Sequence, residues 1–191
     1  MESRSSPRHL AAVMLADLAG YSRMVAADEA DTLARVAALM AGIVRPAVAR
    51  HGGRVVKGTG DGFLAEFSSA VEAVACAAEI QQAMAAEAAA APPDRRLKFR
   101  IGINLGDILA GDDGDIYGDA VNLGSRLEGL TKGYGVSLIV SEATREAVPE
   151  YAYREIDRVR VKGKDRPITI YEPLGLRDQL DSKWKDELKL Y

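Results

Sequence analysis

Val55-Val56-Lys57-Gly58-Thr59-Gly60-Asp61-Gly62-Phe63-Leu64-Ala65-Glu66-Phe67 is the stretch from which the fold of this chain can be read. Two short apolar runs flank a glycine-rich turn, the pattern of a β-hairpin. Gly58, Gly60 and Gly62 are expected to supply the unusual backbone angles of that turn. Asp61 falls at the tip, with no side chain expected to crowd it, and Lys57 ends the first strand four residues earlier. A plain hairpin turn needs only Asn-Gly or Asp-Gly. An acid and a base at opposite edges of one turn need a chemical reason.

On the N-terminal side, Leu10 to Ala16 is a continuous apolar run of strand length, which predicts a central strand buried on both faces. It finishes at Asp17-Leu18-Ala19-Gly20-Tyr21, leaving residues 1–8 as a polar, disordered leader. Asp28 opens a long helix with Leu33, Val36, Ala37, Met40, Ile43, Val44 and Ala47 on one face, closed by Arg50-His51-Gly52-Gly53. His51 reads as a cation near a helix C-terminus rather than a ligand.

On the C-terminal side, Ser69 and Glu72 have capping-box spacing and launch a second long helix, which ends before Pro92-Pro93-Asp94. Lys98 to Asn104 alternates as a half-buried strand, with Gly106 to Ala110 as its continuation or partner. Gly111-Asp112-Asp113-Gly114-Asp115 is a turn that lacks the alternating acids and distal glutamate of a calcium loop. Gly118 to Leu130 predicts a third helix, stopped by Lys132-Gly133. A strand at Ser137 to Val140, a short helix from Ser141 and two closing strands, Tyr151 to Val161 and Ile168 to Pro173, complete the body. The domain is expected over residues 9–175. In the charged tail at 176–191, Leu180, Trp184 and Leu188 are spaced four apart as in a docking helix. The order of elements predicts an α/β (α+β) sandwich, with helices packed on a mostly antiparallel sheet.

Composition narrows the function classes. With 191 residues, 48% hydrophobic and 28% charged, the chain is an ordinary globular domain, and a net charge of -3 argues against nucleic-acid binding or a polybasic membrane patch. Its single cysteine, Cys76, sits in an apolar helical setting and reads as buried and inert. No stretch reaches the roughly 20 uninterrupted apolar residues of a membrane span. The short apolar run after Arg4, Arg8 and His9 leads straight into Asp17 rather than a cleavage site. A cytoplasmic chain with no membrane segment is expected.

Two constellations carry chemistry. Asp17 and Asp61 both stand at strand ends, and if the first strand lies beside the hairpin their carboxylates converge. Paired carboxylates, with substrate phosphates, are how hard divalent cations are held. Taken alone, Asp17 reads as the cap of the next turn and Asp61 as an ordinary turn residue. The second constellation is Asp115-Ile116-Tyr117-Gly118-Asp119-Ala120-Val121-Asn122-Leu123-Gly124-Ser125-Arg126. Asn122 and Arg126, four apart, share a helix face and suit a ribose and a phosphoryl group. Taken alone, they read as a solvated helix face.

Together, Asp17-Leu18-Ala19-Gly20-Tyr21, Lys57 through Asp61-Gly62, and Asp115 through Asn122 and Arg126 resemble the signature of the class III nucleotidyl cyclase catalytic domain. All stand in the family's order over Leu10 to Leu174. The resemblance implies a ferredoxin-like sandwich and an adenylate or guanylate cyclase. It implies that Asp17 and Asp61, with the Leu18 carbonyl, bind two Mg²⁺ or Mn²⁺ ions. The ribose 3′-hydroxyl would then attack the α-phosphorus and expel pyrophosphate. Asn122 would orient the ribose, and Arg126 would neutralise charge growing on the α-phosphate. Arg100 matches a family position on the polyphosphate, as does Lys164, for which Lys162 is an equal candidate by spacing. The site would lie at a head-to-tail homodimer interface. One chain would give Asp17, Asp61 and Arg100; its partner would give Lys57, Asp115, Asn122, Arg126 and Lys164.

Base choice follows from hydrogen bonding. Adenine offers a donor at N6 and an acceptor at N1, which Asp115 and Lys57 complement. Guanine reverses the pattern, and each buried mismatch costs about 1–3 kcal/mol. ATP is therefore the expected substrate; guanylate cyclases resemble Glu and Cys at these positions. A diguanylate cyclase would need a second acid after Asp61, where Gly62 stands, and a P-loop would need glycines before, not after, Lys57. A guanylate cyclase or a silent nucleotide-binding regulator of the same fold remain the alternatives. Intact metal acids and an intact Asn122/Arg126 pair favour the enzyme.

Overall fold

The computed structural model describes residues 8–161 and 166–180. Its centre is the apolar run of the sequence, now strand β1 (Arg8–Leu18). On one side β1 pairs antiparallel with β3 (Gly62–Phe67), which folds back on β2 (Arg54–Gly58) as the expected hairpin. On the other it pairs antiparallel with β4 (Phe99–Ala110). The sheet continues through β6 (Leu138–Ser141) and β8 (Ile168–Leu176) to β7 (Tyr151–Val159), with the two-residue β5 (Ile116–Tyr117) on the far end of β4. Among the described residues only the β4–β6 pairing is parallel, so the sheet is mostly antiparallel as the element order predicts.

Period-two alternation along β1 divides the interior. Ala12, Met14, Ala16 and Leu18 face the main core with Phe63, Phe67, Phe99, Ile101 and Ile103. That core is covered by a continuous helical run, Glu29–Arg50, and by α4 (Ala70–Ala90), which contributes Val74, Ile80 and Met84. The run comprises α2 (Glu29–Leu39), a π turn at Met40–Val44 and α3 (Arg45–Arg50). It is long and apolar enough by length and composition to cross a bilayer, but here it places Val36, Val44, Ala47 and Val48 in the core. Ala11 and Val13 face the other way, where α5 (Asp119–Tyr134) packs its Ala120, Leu123 and Leu127 over Ile108, Ile116 and Ile139. Two glycines permit this close approach. A Cβ on Gly102 of β4 would stand 2.3 Å from the backbone nitrogen of Glu128, and one on Gly124 would stand 2.7 Å from Leu15.

The caps were legible in the sequence. Asp28 accepts from the Asp31 amide at 3.0 Å, and Ser69 from the Glu72 amide at 3.3 Å. Ser141 starts α6 (Glu142–Ala147) by accepting from Thr144 at 3.3 Å. Other expectations are corrected. Asp17 lies inside β1, not after it, opposite Gly62 on one neighbour and Arg100 on the other. Tyr21–Ala27 forms a short helix, α1, that the sequence did not suggest. Of the two readings of Gly106 to Ala110, continuation holds, because β4 runs unbroken from Phe99 to Ala110. α5 passes through Gly133 and stops at Gly135, which takes the left-handed conformation at φ 69°. In the hairpin only Gly60 needs a positive φ, 91°; Gly62 is required because a Cβ there would stand 2.0 Å from the Ala16 carbonyl oxygen. Trp184 and Leu188 of the expected tail helix lie outside the described residues, as do Lys162 and Lys164.

Candidate active site

The first cluster forms where β1 ends. The Leu18 amide donates to the Asp61 carbonyl at 2.9 Å, stitching the hairpin tip to the end of β1 and bringing Asp17 and Asp61 together. Asp61 is therefore not the uncrowded carboxylate the sequence suggested. Asp17 is held above the usual carboxylate range by burial, with the Asp61 side chain adding to the rise and Arg100 opposing it. Arg100, directly across from Asp17 on β4, forms an ion pair with it, while its Nε lies 3.1 Å from Glu128 Oε1 on α5. Burial also raises the Glu128 carboxyl. Two carboxylates, Asp17 and Glu128, thus share one guanidinium in a partly desolvated corner, with Asp61 beside Asp17 as a third.

Such an excess of hard oxygen donors suits a divalent cation. Among the described residues no group of three or more His, Cys, Asp or Glu forms a complete metal site by itself. A cation bound by Asp17 and Asp61 would draw its remaining ligands from the Leu18 carbonyl, water and substrate phosphates. Mg²⁺ is commonly bound in that way. The residues fit the group.

The second cluster joins the hairpin to the turn after β4. Lys57 Nζ lies 2.5 Å from Asp115 Oδ2, a contact between residues 58 apart in sequence. The lysine holds the Asp115 carboxyl below its ordinary range. Arg54 braces the same junction: Nε and Nη2 reach Glu66 Oε1 at 3.1 and 3.0 Å, and Nη1 donates to the Gly114 carbonyl at 2.8 Å. Asp113 accepts from the Asp115 amide at 3.0 Å and from the Tyr117 hydroxyl at 2.7 Å, which fixes the turn.

Asn122 and Arg126 occupy a third place. Along α5, Ala120, Gly124 and Glu128 form the stripe that meets the sheet: Ala120 packs against Gly106, Gly124 against Leu15, and Glu128 reaches Arg100. Asn122 and Arg126 are two residues out of phase with that stripe, so they lie on the opposite flank. Asn122 is exposed and Arg126 half-buried. The chain therefore turns this pair away from its own Asp17 and Asp61. A cavity of about 570 Å³ beside the first turn of α5 is lined by Asn104, Asp107, Asp119 and Glu142, among others. None of Asp17, Asp61, Lys57, Asp115, Asn122 or Arg126 lines it.

Three residues escaped the sequence reading. Glu128 continues the Ala120–Gly124 spacing by one more turn, a signal that was available. Arg54 and Glu66 lie directly across the β2–β3 ladder, but the reach of Arg54 to Gly114 is set by the fold alone.

The model of the adenylate and guanylate cyclase catalytic domain family matches residues 4–172. "Putative adenylate cyclase 3" of Rhizobium meliloti (strain 1021) is 43% identical over 176 residues, covering 90% of this chain and 29% of that protein. An adenylate cyclase of Anabaena cylindrica is 31% identical, over 84% of this chain and 36% of its own length. The chain thus spans about a third of the length of these relatives. Among solved structures, an adenylate/guanylate cyclase/hydrolase from Silicibacter pomeroyi superposes with a TM-score of 0.76 at 39% identity, covering 88% of this chain and 98% of that one. The adenylyl cyclase CyaB from P. aeruginosa shares the fold, with a TM-score of 0.77 at 24% identity over 92% of this chain and 99% of that one.

Proposed function

The chain belongs to the adenylate and guanylate cyclase catalytic domain family, and we propose that it converts ATP to 3′,5′-cyclic AMP and pyrophosphate at sites shared between two copies of itself. The observation that carries the choice of ATP is the contact between Lys57 and Asp115. It presents a donor and an acceptor side by side, the complement of adenine N1 and N6. Guanine would meet a donor with a donor and an acceptor with an acceptor.

In the reaction the ribose 3′-oxygen bonds to the α-phosphorus, the bond from that phosphorus to the β-phosphate oxygen breaks, and the hydroxyl proton leaves with solvent. Two divalent cations, Mg²⁺ or Mn²⁺, held by Asp17, Asp61 and the Leu18 carbonyl would supply acidification of the hydroxyl and screening of the triphosphate. Asn122 orients the ribose. Arg126 meets the negative charge that grows on the α-phosphoryl oxygens, and a preorganised donor of this kind is worth about 10²–10³ in rate. Arg100 and Lys164 receive the polyphosphate. The outward flank of Asn122 and Arg126 supports a head-to-tail homodimer, in which each chain offers its acids to one site and its α5 pair to the other. ATP as substrate and a lone buried thiol, Cys76, support a cytoplasmic setting.

The test is to incubate the purified protein with Mg²⁺ or Mn²⁺ and either ATP or GTP, then measure cyclic product. Cyclic AMP in excess of cyclic GMP is the expected result; no cyclic product from a dimeric preparation with either metal would refute the enzyme reading. Mixing Asp61→Ala chains with Arg126→Ala chains should restore one intact site per heterodimer. Mixed dimers that form yet stay inactive would overturn the shared site.

A further inference from the structure

Arg100 lies between two carboxylates that do different work. On one side its guanidinium pairs with Asp17; on the other its Nε lies 3.1 Å from Glu128 Oε1. Both of those atoms are shielded from solvent, yet neither sits in an aligned hydrogen bond. Buried donors and acceptors left in that state are unfavourable, and a small swing of the guanidinium would satisfy both. The carboxylate that would receive it is held in place. Gly102, two residues along β4 from Arg100, brings the α5 backbone so close that an added Cβ would lie 2.3 Å from the Glu128 nitrogen. The α5 backbone is close-packed on β4, which fixes where Glu128 is rooted, while Arg100 reaches it through a long side chain with several rotatable bonds.

We propose that Glu128 is a positioning residue, the second seat of a two-place switch for Arg100, which rests on Asp17 while the site lacks cations and moves to Glu128 when divalent cations occupy Asp17 and Asp61. The inference rests on the metal-site reading above. A guanidinium seated on Asp17 cancels charge that an incoming cation needs and repels the cation as well. If it were displaced with nowhere to go, it would remain as a partly buried, unpaired charge, which is costly. Glu128 removes that cost and keeps Arg100 beside the site. Its side chain is only 17% exposed, so water is a poor substitute for the guanidinium.

The experiment follows Mn²⁺ binding to the full chain, without nucleotide, from the electron paramagnetic resonance signal of free Mn²⁺. In parallel, the Arg100 Nε–H resonance, assigned by its loss in Arg100→Lys, is followed during Mg²⁺ addition. Groups that hydrogen-bond to a metal's ligands typically change metal affinity about 10–100-fold. Arg100→Ala should bind Mn²⁺ about tenfold more tightly than the unaltered protein, and Glu128→Gln about tenfold more weakly. Mg²⁺ should move the Arg100 resonance in the unaltered protein and leave it near its starting position in Glu128→Gln. An identical displacement in both proteins, or no tightening in Arg100→Ala, would overturn the switch. If Glu128→Gln fails to fold, the Arg100→Ala arm still decides. Asp17→Asn separates the two readings: if it keeps full Mn²⁺ affinity, the metal assignment itself fails.

Discussion

The acid corner and the hairpin latch each take a charged side chain from the β2–β3 hairpin, Asp61 and Lys57, and they are assembled on opposite principles. At the latch, charges match: Lys57 meets Asp115, Arg54 meets Glu66, and the Asp113 and Asp115 carboxyls are held below their ordinary range by the hydrogen bonds they accept. At the corner, charges do not match. Asp17 and Glu128 share Arg100 with Asp61 crowded against Asp17, and burial pushes Asp17 and Glu128 upward. A matched cluster fixes geometry without demanding anything from outside. An unmatched, desolvated one is unfavourable on its own and becomes favourable when a cation arrives. In the proposed reaction the latch would be the part that recognises and the corner the part that reacts.

The largest effect should come from breaking the corner. Asp17→Ala or Asp61→Ala is expected to cut turnover by at least about a thousandfold, the several kcal/mol that a lost metal ligand represents. Either substitution also relieves like-charge crowding, so the melting temperature should hold or rise. Retained turnover would refute the metal assignment, and a collapse in stability would contradict the unmatched-charge account. Next in size is Arg126→Ala, with an expected loss in kcat of about 10²–10³ and unchanged Mn²⁺ affinity at the corner. A loss of Mn²⁺ binding on that substitution would mean that the flank of α5 is not separate from the acids. Breaking the latch should change selection rather than rate. Lys57→Ala should lower the preference for ATP over GTP about ten- to a hundredfold, the cost of one or two buried mismatches, and the ratio of kcat/KM values for the two nucleotides measures it. An unchanged ratio would detach Lys57 from base recognition.

Much of this architecture was legible in the sequence, for reasons that are local. Continuous hydrophobicity over Leu10–Ala16 marked a strand buried on both faces, because only such a strand has no solvent side; the burial begins at Ala11, and Leu10 is exposed. Ser69-x-x-Glu72 and Asp28 announced helix starts because their side chains cap the first turn. What stayed hidden depends on contacts between distant residues. Gly106 to Ala110 could be read as continuation or as a partner strand; it continues β4, and Ala120 packs on Gly106, 3.0 Å from where a Cβ would lie. Gly133 looked like a helix stop, but it faces open space and stays helical, and the chain turns at Gly135. α1 has seven residues, too few to show a helical period. At the site, Asp17, Asp61, Lys57 and Asp115 were all named from sequence, and the fold brings them together as two pairs. Glu128 was passed over because attention to Asn122 and Arg126 selects one flank of α5 and the acid corner uses the other.

The smallest expected effect concerns the root of the hairpin and pH. His51, at the end of α3 and three residues before β2, lies 2.6 Å from Glu72 through Nδ1 and 2.9 Å from Glu79 through Nε2, both on α4. Arg50 joins Glu79 from the same side, and Cys76, buried between them, has its thiol pushed up to about 12 by burial and stays neutral throughout. Burial opposes the His51 charge, but the hydrogen bonds that the imidazolium donates to Glu72 and Glu79 outweigh it, and it is held above the usual histidine value. The folded value lies above the unfolded one. The stabilisation is therefore fully present below about pH 6.5 and is lost as pH rises through the raised value. On the acid side Glu79, lowered by Arg50 and then His51, contributes above its ordinary range and loses that contribution as pH falls through its depressed value. Both glutamates are well exposed, so screening limits the clamp to at most about 1 kcal/mol. That corresponds to roughly 2–4 °C in a chain of this size. His51→Gln should melt lower than the unaltered protein at pH 6 and level with it at pH 9, while Mn²⁺ affinity at the acid corner stays the same at both values. A pH-independent deficit would assign His51 a packing role only. A change in Mn²⁺ affinity would mean that the root of the hairpin and the acid corner are coupled, and that the latch and the corner do not act as separate parts.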